Sequence, residues 1–524
     1  MEKDFSVKTK LKRLFLIVAV ISITAIAIYF FEKPNNENFK NIFDSIWFLL
    51  VTISTVGYGD IYPTTMMGKV LAIILILATP VFLAQIFILV KELLTGSLVP
   101  QVRLLKNTNK DLYVFDELNE QSEELINDIS EKHSKDAIII YKKIDKKYLE
   151  NNVDSMPELN NLLQYNIGYK SALNTKMALK VFLFGNNSEA DKFTIAKDVE
   201  NMAKTQRKDV NVYLISNYRY DFLSNSIHIV NYNKMIAQDF MSQYNKKMQN
   251  EKIVIIGDTT LTEYIFEMVV INNVYNAQQS NEYFIITKDK DFKNLYQKII
   301  SHVNESNTFS DKINVLEDLF DDVKVISGAD VIILCDDDEK NITIMNHINR
   351  FRSKAAEVYV KSKSDFNLYG NRIKSYGNSD RVFTYENVVN EKMNEKARRL
   401  NDLYKARYGG KAWEELDSFT KESNIVSCNH IKMKKQIIDM LIPGDNSNSY
   451  SLKFEKLPSN CRYKLLEIEH ERWRRFHYVY NWEYSEVKKT DERKHNLLQP
   501  FEQLNDEDKG KNRDIYKFLD EFTD

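Results

Sequence analysis

The apolar positions of this 524-residue chain follow two different patterns. Near the N-terminus they form two long runs, at 14–31 and 66–90, of which the first is uncharged and the second contains a single charged residue, Lys69. The first run has 18 residues, and as a helix it would be about 27 Å long, which is enough to cross the hydrocarbon core of a bilayer. Beyond residue 108, short apolar runs of strand length alternate with amphipathic segments of helix length, which is typical of α/β domains. The pattern therefore predicts a multidomain membrane protein with a two-span part at 14–90.

Basic residues flank the outer ends of the two apolar runs. They are Lys8, Lys10, Lys12 and Arg13 before the first run and Lys91, Arg103 and Lys106 after the second. Cytoplasmic segments carry such an excess of lysine and arginine. We therefore expect a multi-pass protein of the cell membrane with a cytoplasmic tail at 1–13, a linker at 91–107 and both termini in the cytoplasm. A cleaved signal peptide is disfavoured because no small-residue cleavage site follows the first run.

The segment between the spans predicts a re-entrant helix and a carbonyl-lined path. Residues 41–54 are mostly apolar but too short to cross a bilayer, and the C-terminal end of such a helix favours a cation. The residues that follow are Thr55, Val56, Gly57, Tyr58 and Gly59. Irregular backbone is tolerated at membrane depth only where it lines a cavity. Alternate glycines allow backbone angles that turn successive carbonyls toward one axis.

The stretch TVGYGD, with Trp47 before it and Tyr62 and Pro63 after it, resembles the selectivity filter of the potassium-channel pore family. The resemblance implies a homotetramer that surrounds one pore, with K+ at Thr55, Val56, Gly57 and Tyr58. No helix with repeated arginines precedes the first span, so a voltage sensor is not expected. Pro80 lies within the second span, where it either hinges a gate or only shapes helix packing. We expect a prokaryotic source.

Strand-like and helix-like runs recur in two rounds between residues 108 and 390. The clearest are ALKVFLFGNNSEADKFTIAK in the first round and GADVIILCDDDEKNITIMNHI in the second. Buried strands joined by helices favour doubly wound parallel sheets. Both rounds resemble the RCK family of cytosolic channel regulators, which have TrkA-N-like, Rossmann-like domains. The resemblance implies one such domain at 108–250, a second at 251–390 and a role in gating.

Neither α/β domain has the glycine-rich turn that approaches a dinucleotide pyrophosphate. The first domain has the carboxylates Asp116 and Glu117 at this point, and the second has Gly257 followed at once by Asp258. The sequence therefore argues against NAD as a cofactor.

An acidic run in the second domain allows two interpretations. Asp336, Asp337 and Asp338 could hold a divalent cation. Because they follow a strand and open a helix, capping of that helix is the favoured interpretation.

The C-terminal part, 391–524, is predicted to be all-helical and contains an internal repeat. The pattern aromatic-Glu-x-Leu-x4-Lys-x2-Asn begins at Trp413 and again at Phe501. Repetition indicates a pseudo-symmetric helical unit. This part resembles the ryanodine-receptor (RyR) repeat domain, although that family more often has glycine at the position of Asn481 and proline at that of Asn496. The matching residues are His470, Glu471, Trp473, Asn481, Trp482, Tyr484, Asp491, Lys494, His495, Leu498, Phe501 and Leu504.

Aromatic and cationic residues are concentrated in this helical part. They are Trp473, Arg474, Arg475, Trp482, Tyr484, Lys494 and His495. Flat apolar faces combined with cationic donors are typical of pockets for anionic aromatic ligands. Taken singly, each residue is better explained as a core tryptophan or as part of a solvated basic helix face. We interpret the set as candidate ligand-binding residues for a small, anionic, nucleotide-like molecule on the cytosolic side.

Composition narrows the classes of function. Lys and Arg total 72 against 74 Asp and Glu, so bulk charge does not favour a nucleic-acid partner. The three cysteines, Cys335, Cys428 and Cys461, form no disulfide or zinc pattern. No catalytic motif is present, so we do not expect an enzyme. The sequence predicts a ligand-gated potassium channel, and the alternative is a membrane-anchored nucleotide-sensing or nucleotide-processing protein whose pore is not its main output.

Overall fold

The structure, a computed structural model, describes most of the chain in segments. These are residues 7–94, 111–132, 137–144, 162–164, 178–185, 187–217, 226–244, 246–306, 308–317, 323–363, 372–445 and 447–522. By its internal contacts the chain forms two compact units. The first unit contains 1–119 and 133–212, and the second contains 120–132 and 213–524.

The N-terminal segment of the first unit consists of α1 (Val7–Glu32), α2 (Ile42–Ile53) and α3 (Met66–Leu94). Helix α2 begins after Asn41 because the Asn41 side chain accepts from the N–H of Asp44, whose carboxylate accepts in return from the N–H of Asn41. Ser54 caps its other end, so the helix predicted at 41–54 is confirmed. The three helices share a buried core formed by Ala25, Ile28, Phe39, Phe48, Leu49, Ile53 and Leu75.

Many large apolar side chains of α1 and α3 face outwards from the single chain. They include Phe15, Leu16, Ile23, Phe30, Ile73, Leu77, Val81 and Phe87. Large exposed apolar surfaces mark contacts with another protein or with lipid. Over the described residues, none of the helices has both the length and the apolar character needed to cross a membrane.

The first α/β region contains a parallel sheet. In chain order its elements are β1 (Leu112–Leu118), α4 (Glu120–Lys132), β2 (Ala137–Ile144), β3 (Leu162–Gln164), β4 (Leu179–Leu183), α5 (Glu189–Thr205) and β5 (Val210–Ile215). Strand β1 lies between β2 and β4 and is parallel to both, in the order β3-β2-β1-β4-β5. Residues Leu112 to Phe115 of this central strand are fully buried, and the rings of Phe115 and Phe182 stack 4.6 Å apart. Helix α4 belongs to the second unit by its contacts.

The second unit contains a complete second sheet. Its elements, in chain order, are β6 (Ile227–Val230), α6 (Tyr232–Gln243), β7 (Lys252–Ile256), α7 (Thr260–Asn272), β8 (Glu282–Ile286), α8 (Phe292–Leu295), α9 (Gln297–Asn304), β9 (Lys312–Leu316), α10 (Val323–Ser327), β10 (Val331–Leu334), α11 (Asp338–Ile348), β11 (Glu357–Lys361) and β12 (Ile373–Tyr376). Strands β7 to β12 form a parallel sheet in the order β12-β11-β10-β7-β8-β9. The first strand of each sheet in chain order, β1 or β7, is thus central, and the two predicted parallel, Rossmann-like sheets are confirmed.

The C-terminal part of the second unit is helical. Its helices are α12 (Ser379–Val382), α13 (Tyr385–Val388), α14 (Glu395–Tyr408), α15 (Ser418–Asn429), α16 (Ile431–Leu441), α17 (Tyr450–Lys456), α18 (Ser459–Val479), α19 (Asp506–Lys511) and α20 (Asp514–Lys517). A two-residue parallel pair, β13 (Glu483–Tyr484) with β14 (Lys494–His495), is the departure from the all-helical prediction. Val274 and Tyr275, which follow α7, share one buried core with side chains of α16 and α18, so this part is packed directly on the second sheet domain.

Candidate functional site

The stretch after α2 has an alternating backbone. Thr55, Gly57 and Gly59 have positive φ angles of 60°, 58° and 73°, whereas Val56 and Tyr58 do not. Alternation between left- and right-handed conformations turns successive carbonyl groups to the same side of the chain, which is the arrangement a dehydrated cation requires. The positive φ predicted for the glycines is confirmed.

Hydrogen bonds anchor the start of this stretch to α2. The carbonyl of Val51 accepts from the N–H groups of Val56 and Gly57, at 3.1 and 3.2 Å. These hydrogen bonds fix the backbone next to Thr55. The positive φ of Thr55 costs a β-branched residue on the order of 1–3 kcal/mol. Such backbone strain is concentrated at functional sites. No feature of the sequence indicated it at Thr55.

Side chains on one side of the stretch hold its C-terminal end. The indole N–H of Trp47 donates to Asp60 at 2.9 Å, and the Trp47 ring stacks on Tyr58 with centroids 6.0 Å apart. Residues 55–59 themselves are exposed in the single chain. Within one chain this stretch is therefore open on its surface and not enclosed by the described residues.

A buried carboxylate that the sequence analysis missed fixes the start of α3. Glu32, at the end of α1, is fully buried. One of its oxygens accepts from the N–H of Thr64 at 2.8 Å, and the other accepts from the N–H and the hydroxyl of Thr65. A Cβ on Gly68 would lie only 2.0 Å from Glu32, so that glycine leaves room for the carboxylate. The sequence did contain a signal for this contact: an acidic residue directly follows the first apolar run, and two threonines directly precede the second.

Helix α3 continues without interruption through Pro80, which is exposed in the single chain. The preceding Thr79 donates its hydroxyl to the carbonyl of Leu75 at 2.9 Å. A proline removes one helix hydrogen bond, so the position suits a bend. The role of Pro80 as a gate hinge stays a prediction.

In the first α/β region, a carboxylate occupies the strand edge where a phosphate would bind. Asp116, near the end of β1, is buried and accepts from the N–H groups of Phe184 and Gly185 at 2.8 and 2.9 Å. A Cβ on Gly185 would lie 2.5 Å from the carboxylate of Glu117. The backbone donors that could bind an external anion are thus satisfied internally.

Asp116 also makes stability depend on pH. Burial raises its pKa to about 6, from an ordinary value of 3.8. The folded state therefore favours the protonated form, and the stability that results is present below about pH 4 and is lost as the pH rises through about 6. We expect Asp116→Asn, which keeps an acceptor oxygen, to flatten the change in melting temperature between pH 4 and 7. The control is Asp198→Asn on the exposed face of α5. If melting temperature changed with pH equally in the two variants, Asp116 would not be the source of the pH dependence.

The second α/β domain also has a buried carboxylate at this edge of its sheet. Here the carboxylate follows the fourth strand of the domain and accepts from the backbone after the first strand. Asp336, which follows β10, is buried and accepts from the N–H of Asp258, after β7, at 3.0 Å. Burial raises the pKa of Asp336. A Cβ on Gly257 would lie 2.5 Å from the hydroxyl of Thr262, so the single glycine of this turn serves close packing.

The rest of the acidic run is engaged in capping. Asp337 is the N-cap of α11 and accepts from the N–H of Lys340 at 2.9 Å, which confirms the capping interpretation. Asp338 accepts from the N–H of Lys363 and lies 3.4 Å from the ammonium of Lys361. Among the described residues, no group of three or more His, Cys, Asp or Glu is placed to hold a metal ion.

Arg475, predicted as a ligand-binding residue, is instead a buried structural cation. It is fully buried in α18, where it pairs with Glu471 at 3.0 Å and with Asp311 at 2.9 Å. It also donates to the carbonyl of Val270, at 3.1 Å. Asp311 precedes β9 and Val270 lies in α7, so the guanidinium connects the helical part to the second sheet domain. A guanidinium so enclosed cannot reach a ligand, and the sequence did not reveal its distant partners.

The protonation of the neighbouring groups follows from burial. Burial lowers the pKa of His302, whose Nε2 lies 3.0 Å from the Glu471 carboxylate. Burial alone would raise the pKa of Glu471, but its hydrogen bond with His302 and the charges of Arg474 and Arg475 hold it well below its usual range. Arg474 pairs with the other Glu471 oxygen at 3.3 Å, so its charge is also partly neutralised.

A second buried ionic cluster lies on the same helix. Glu469 accepts two hydrogen bonds from Arg472, at 3.0 and 2.8 Å, and pairs with Lys434 at 2.7 Å. Lys434 donates to Nδ1 of His430, so His430 donates from Nε2 to the carbonyl of Val274 at 2.8 Å. Burial lowers the pKa of Lys434 to about 8. The two clusters make the interface between the helical part and the end of α7 ionic as well as apolar.

The predicted tryptophans do come together, but in a packed cluster. Trp482 is buried and stacks on Phe419 with centroids 5.2 Å apart. Trp473 packs against His477 at 3.9 Å and meets His495 edge-on at 5.0 Å. Burial lowers the pKa of His495 to about 4, so it is neutral at pH 7 and is not the cationic donor that was predicted.

The remaining predicted residues lie at the edge of this cluster. Tyr484 is half exposed in β13, and Lys494 in β14 pairs with Glu492 at 2.7 Å. Asn481 has a φ of 60°, which explains why the resembling family more often has glycine there. The seven candidates therefore do not converge on one open cationic pocket.

The internal repeat has a local structural meaning. Each copy begins with a short 3-10 turn, at Trp413–Glu415 and Phe501–Gln503, followed by a capped helix. In both copies the repeat lysine lies over the repeat aromatic ring, with Lys421 5.7 Å from Trp413 and Lys509 5.8 Å from Phe501. The matched spacing thus encodes a cation–π contact.

The N-terminal segment matches known ion channels. Residues 6–95 match the protein family described as "Ion channel". A voltage-gated potassium channel of Aeropyrum pernix is 48% identical over 54 residues, which are 10% of this chain and 18% of that protein. The putative potassium channel protein YugO of Bacillus subtilis is 38% identical over 72 residues, which are 14% of this chain and 21% of that protein. The chain thus spans about a fifth of the length of these two relatives.

Solved structures of the GsuK channel are also similar to the chain. One covers 74% of this chain and 99% of its own, with 13% identity and a TM-score of 0.39. Another, with NAD bound, covers 74% of this chain and 86% of its own, with 11% identity and a TM-score of 0.36.

Proposed function

We propose that this chain is the subunit of a potassium channel and that residues 7–94 form its pore. The proposal rests on the alternating backbone of residues 55–59, which presents carbonyls as an ion filter does, within a segment that matches the ion-channel family. Thr55 to Tyr58 would hold K+ in place of its hydration shell. The buried Glu32 and the Trp47–Asp60 bond would keep the filter in register with the helices on either side.

The channel is proposed to be a homotetramer in the cell membrane. Residues 55–59 are exposed in one chain, and a ring of carbonyls needs several copies around one axis. The apolar residues exposed on α1 and α3 would be covered partly by neighbouring copies and partly by lipid. Both termini would then lie in the cytoplasm.

Gating is proposed to come from the α/β domains and the RyR-like helical part, through a small anionic, nucleotide-like ligand. A ligand shifts a channel toward opening only if it binds the open and closed states with different affinity. In the second unit, buried ionic clusters join the helical part to the sheet domain, so a change in one is transmitted to the other. Since Arg474 and Arg475 are neutralised by Glu471, the ligand would bind elsewhere in this unit.

Ion flux from liposomes tests the proposed activity. The full-length protein is reconstituted, and K+ efflux is compared with Na+ efflux, with protein-free liposomes as the control. Flux selective for K+ is expected, together with a tetrameric mass in detergent. Absence of flux from a correctly folded tetramer would favour the alternative, a membrane-anchored nucleotide-sensing or nucleotide-processing protein.

NAD is proposed not to be the main effector. The backbone N–H groups of Gly185 and Asp258, which would face a pyrophosphate, already donate to Asp116 and Asp336. We therefore expect calorimetry with the full-length protein to show no NAD binding in the micromolar range. Micromolar binding that is lost on adding bulk at Gly257 would contradict this prediction.

A further inference from the structure

The second unit contains a cavity of about 720 Å³ that lies outside the Rossmann-type strand edges and the predicted tryptophan cluster. One wall is β6 with the first turns of α6, and another is the segment 387–398. The third wall is the first repeat copy, from Trp413 through Ile425, and Tyr264 of α7 completes the lining. The volume falls in the range of sites for small organic ligands.

The charged lining of the cavity is mixed. It contains three cationic side chains, Lys234, Arg398 and Lys421, and four anionic ones, Glu391, Glu414, Asp417 and Glu422. Lys234 forms an ion pair with Glu422, and Arg398 lies 3.5 Å from Glu391. The carboxylates limit how much negative charge a ligand can bring into the cavity.

Comparison of the repeat copies shows that Lys421 is available to a ligand. In the second copy the ammonium of Lys509 donates to the carbonyl of Glu502 at 3.2 Å. In the first copy Lys421 covers the Trp413 ring, and no carboxylate or carbonyl of the described residues lies within bonding distance of its ammonium. Both lysines thus make the same cation–π contact. Lys509 of the second copy also bonds to a carbonyl, whereas the ammonium of Lys421 in the first copy faces the cavity.

Arg398 provides a second donor close to Trp413. The Trp413 indole N–H lies 3.5 Å from Glu391, which also contacts Arg398. The Nε of Arg398 is buried and has no hydrogen-bond partner among the described residues. Arg398 and the Trp413 indole N–H thus share Glu391 as a partner, while Lys421 lies over the face of the Trp413 ring.

Amide groups supply the remaining polar lining. They belong to Asn231, Gln238, Asn387, Asn390 and Asn394. Most of their NH2 groups already donate within the protein, so the wall offers a ligand mainly amide oxygens and the NH2 of Asn394. Asparagine and glutamine amides match the donor and acceptor pattern of nucleobase edges. Together, the ammonium of Lys421, the unpaired Nε of Arg398, a limit on added negative charge and an amide-rich wall favour one class of ligand.

We propose that this cavity binds a nucleoside monophosphate, with the phosphate near Lys421 and Arg398, and that its carboxylates discriminate against nucleoside di- and triphosphates. Such a ligand would contact β6, α7 and the first repeat copy at once. Binding would therefore change how tightly these elements of the second unit pack. As the gating ligand site, the assignment rests on the proposed channel function.

The test is calorimetric binding of AMP, GMP, CMP and UMP to the full-length protein in detergent, with ATP as comparison. At least one monophosphate is expected to bind, about tenfold or more tightly than ATP. Lys421→Gln is expected to weaken this binding about tenfold or more, because a charge-assisted hydrogen bond is lost. The matched control is Lys509→Gln, which removes the equivalent lysine of the other copy and should leave binding unchanged.

A charge variant tests the proposed discrimination. Glu414→Gln removes one cavity carboxylate and is expected to reduce the difference in affinity between the monophosphate and ATP. Glu395→Gln, which lies outside the cavity lining, is expected to leave this difference unchanged. The proposal is overturned if no monophosphate binds, if ATP binds more tightly, or if Lys421→Gln binds as the wild type does. K+ flux is measured in parallel with the same samples. Binding without K+-selective flux would overturn the channel function alone, and selective flux without binding would overturn the ligand site alone.

Discussion

Replacing Gly57 with alanine is expected to abolish potassium-selective flux. Gly57 has a φ of 58°, and no atom lies within 4 Å of an added Cβ, so the effect is on backbone conformation rather than on packing. The left-handed conformation costs an L-residue about 1–2 kcal/mol. In a tetramer four such costs act on one ring of carbonyls, which favours a backbone that turns the carbonyls away from the ion. K+ and Na+ efflux from liposomes measures the loss.

The chain offers a matched control for this variant. Gly409 lies in the second unit, has a φ of 73° and likewise has no atom within 4 Å of an added Cβ. Gly409→Ala introduces the same kind of local strain outside the filter, and K+ selectivity should be retained. Wild-type selectivity in Gly57→Ala would show that residues 55–59 are not the filter.

Replacing Arg475 with alanine is expected to lower the free energy of unfolding of the second unit by about 3–5 kcal/mol, the usual cost of breaking a buried ion pair. The substitution leaves the carboxylates of Glu471 and Asp311 buried without their shared cation. It also removes the donor to Val270 of α7. Denaturant unfolding gives the magnitude, and hydrogen exchange should show faster opening of peptides from Ser459–Val479.

Arg399→Ala is the control for this loss of an arginine. Arg399 pairs with Glu521 at the surface, with more than half of its side chain exposed. Exposed pairs contribute about 0–1 kcal/mol. If Arg475→Ala were no less stable than Arg399→Ala, the buried cluster would not be what joins the helical part to the sheet domain.

The expected effects differ because one residue is constrained locally and the other by the fold. The role proposed for Gly57 can be inferred from the five consecutive residues 55–59, because a filter is built from consecutive backbone groups. Arg475 was assigned to a ligand because its neighbours in sequence are aromatic and cationic. Its true partner Asp311 lies 164 positions away along the chain. Local composition contains no information about such a contact.

The sequence by itself determined the features that depend on local order. The glycine spacing of 57 and 59, the capping of α2 by Asn41 and the capping of α11 by Asp337 were all predictable, because each involves residues within a few positions. The two parallel sheets were predictable as well, because buried strands have to alternate with helices. Even the lysine over the aromatic ring follows from the spacing of the repeat.

Only the tertiary structure decided which polar groups are free. It satisfied the backbone donors at the strand edges with Asp116 and Asp336 and neutralised Arg475. It placed Lys421 at a cavity, whereas Lys509, the equivalent lysine of the second repeat copy, donates to the carbonyl of Glu502. The physical reason is that a buried charge or donor must be paired, and the group that pairs with it is selected by packing between segments distant in the chain.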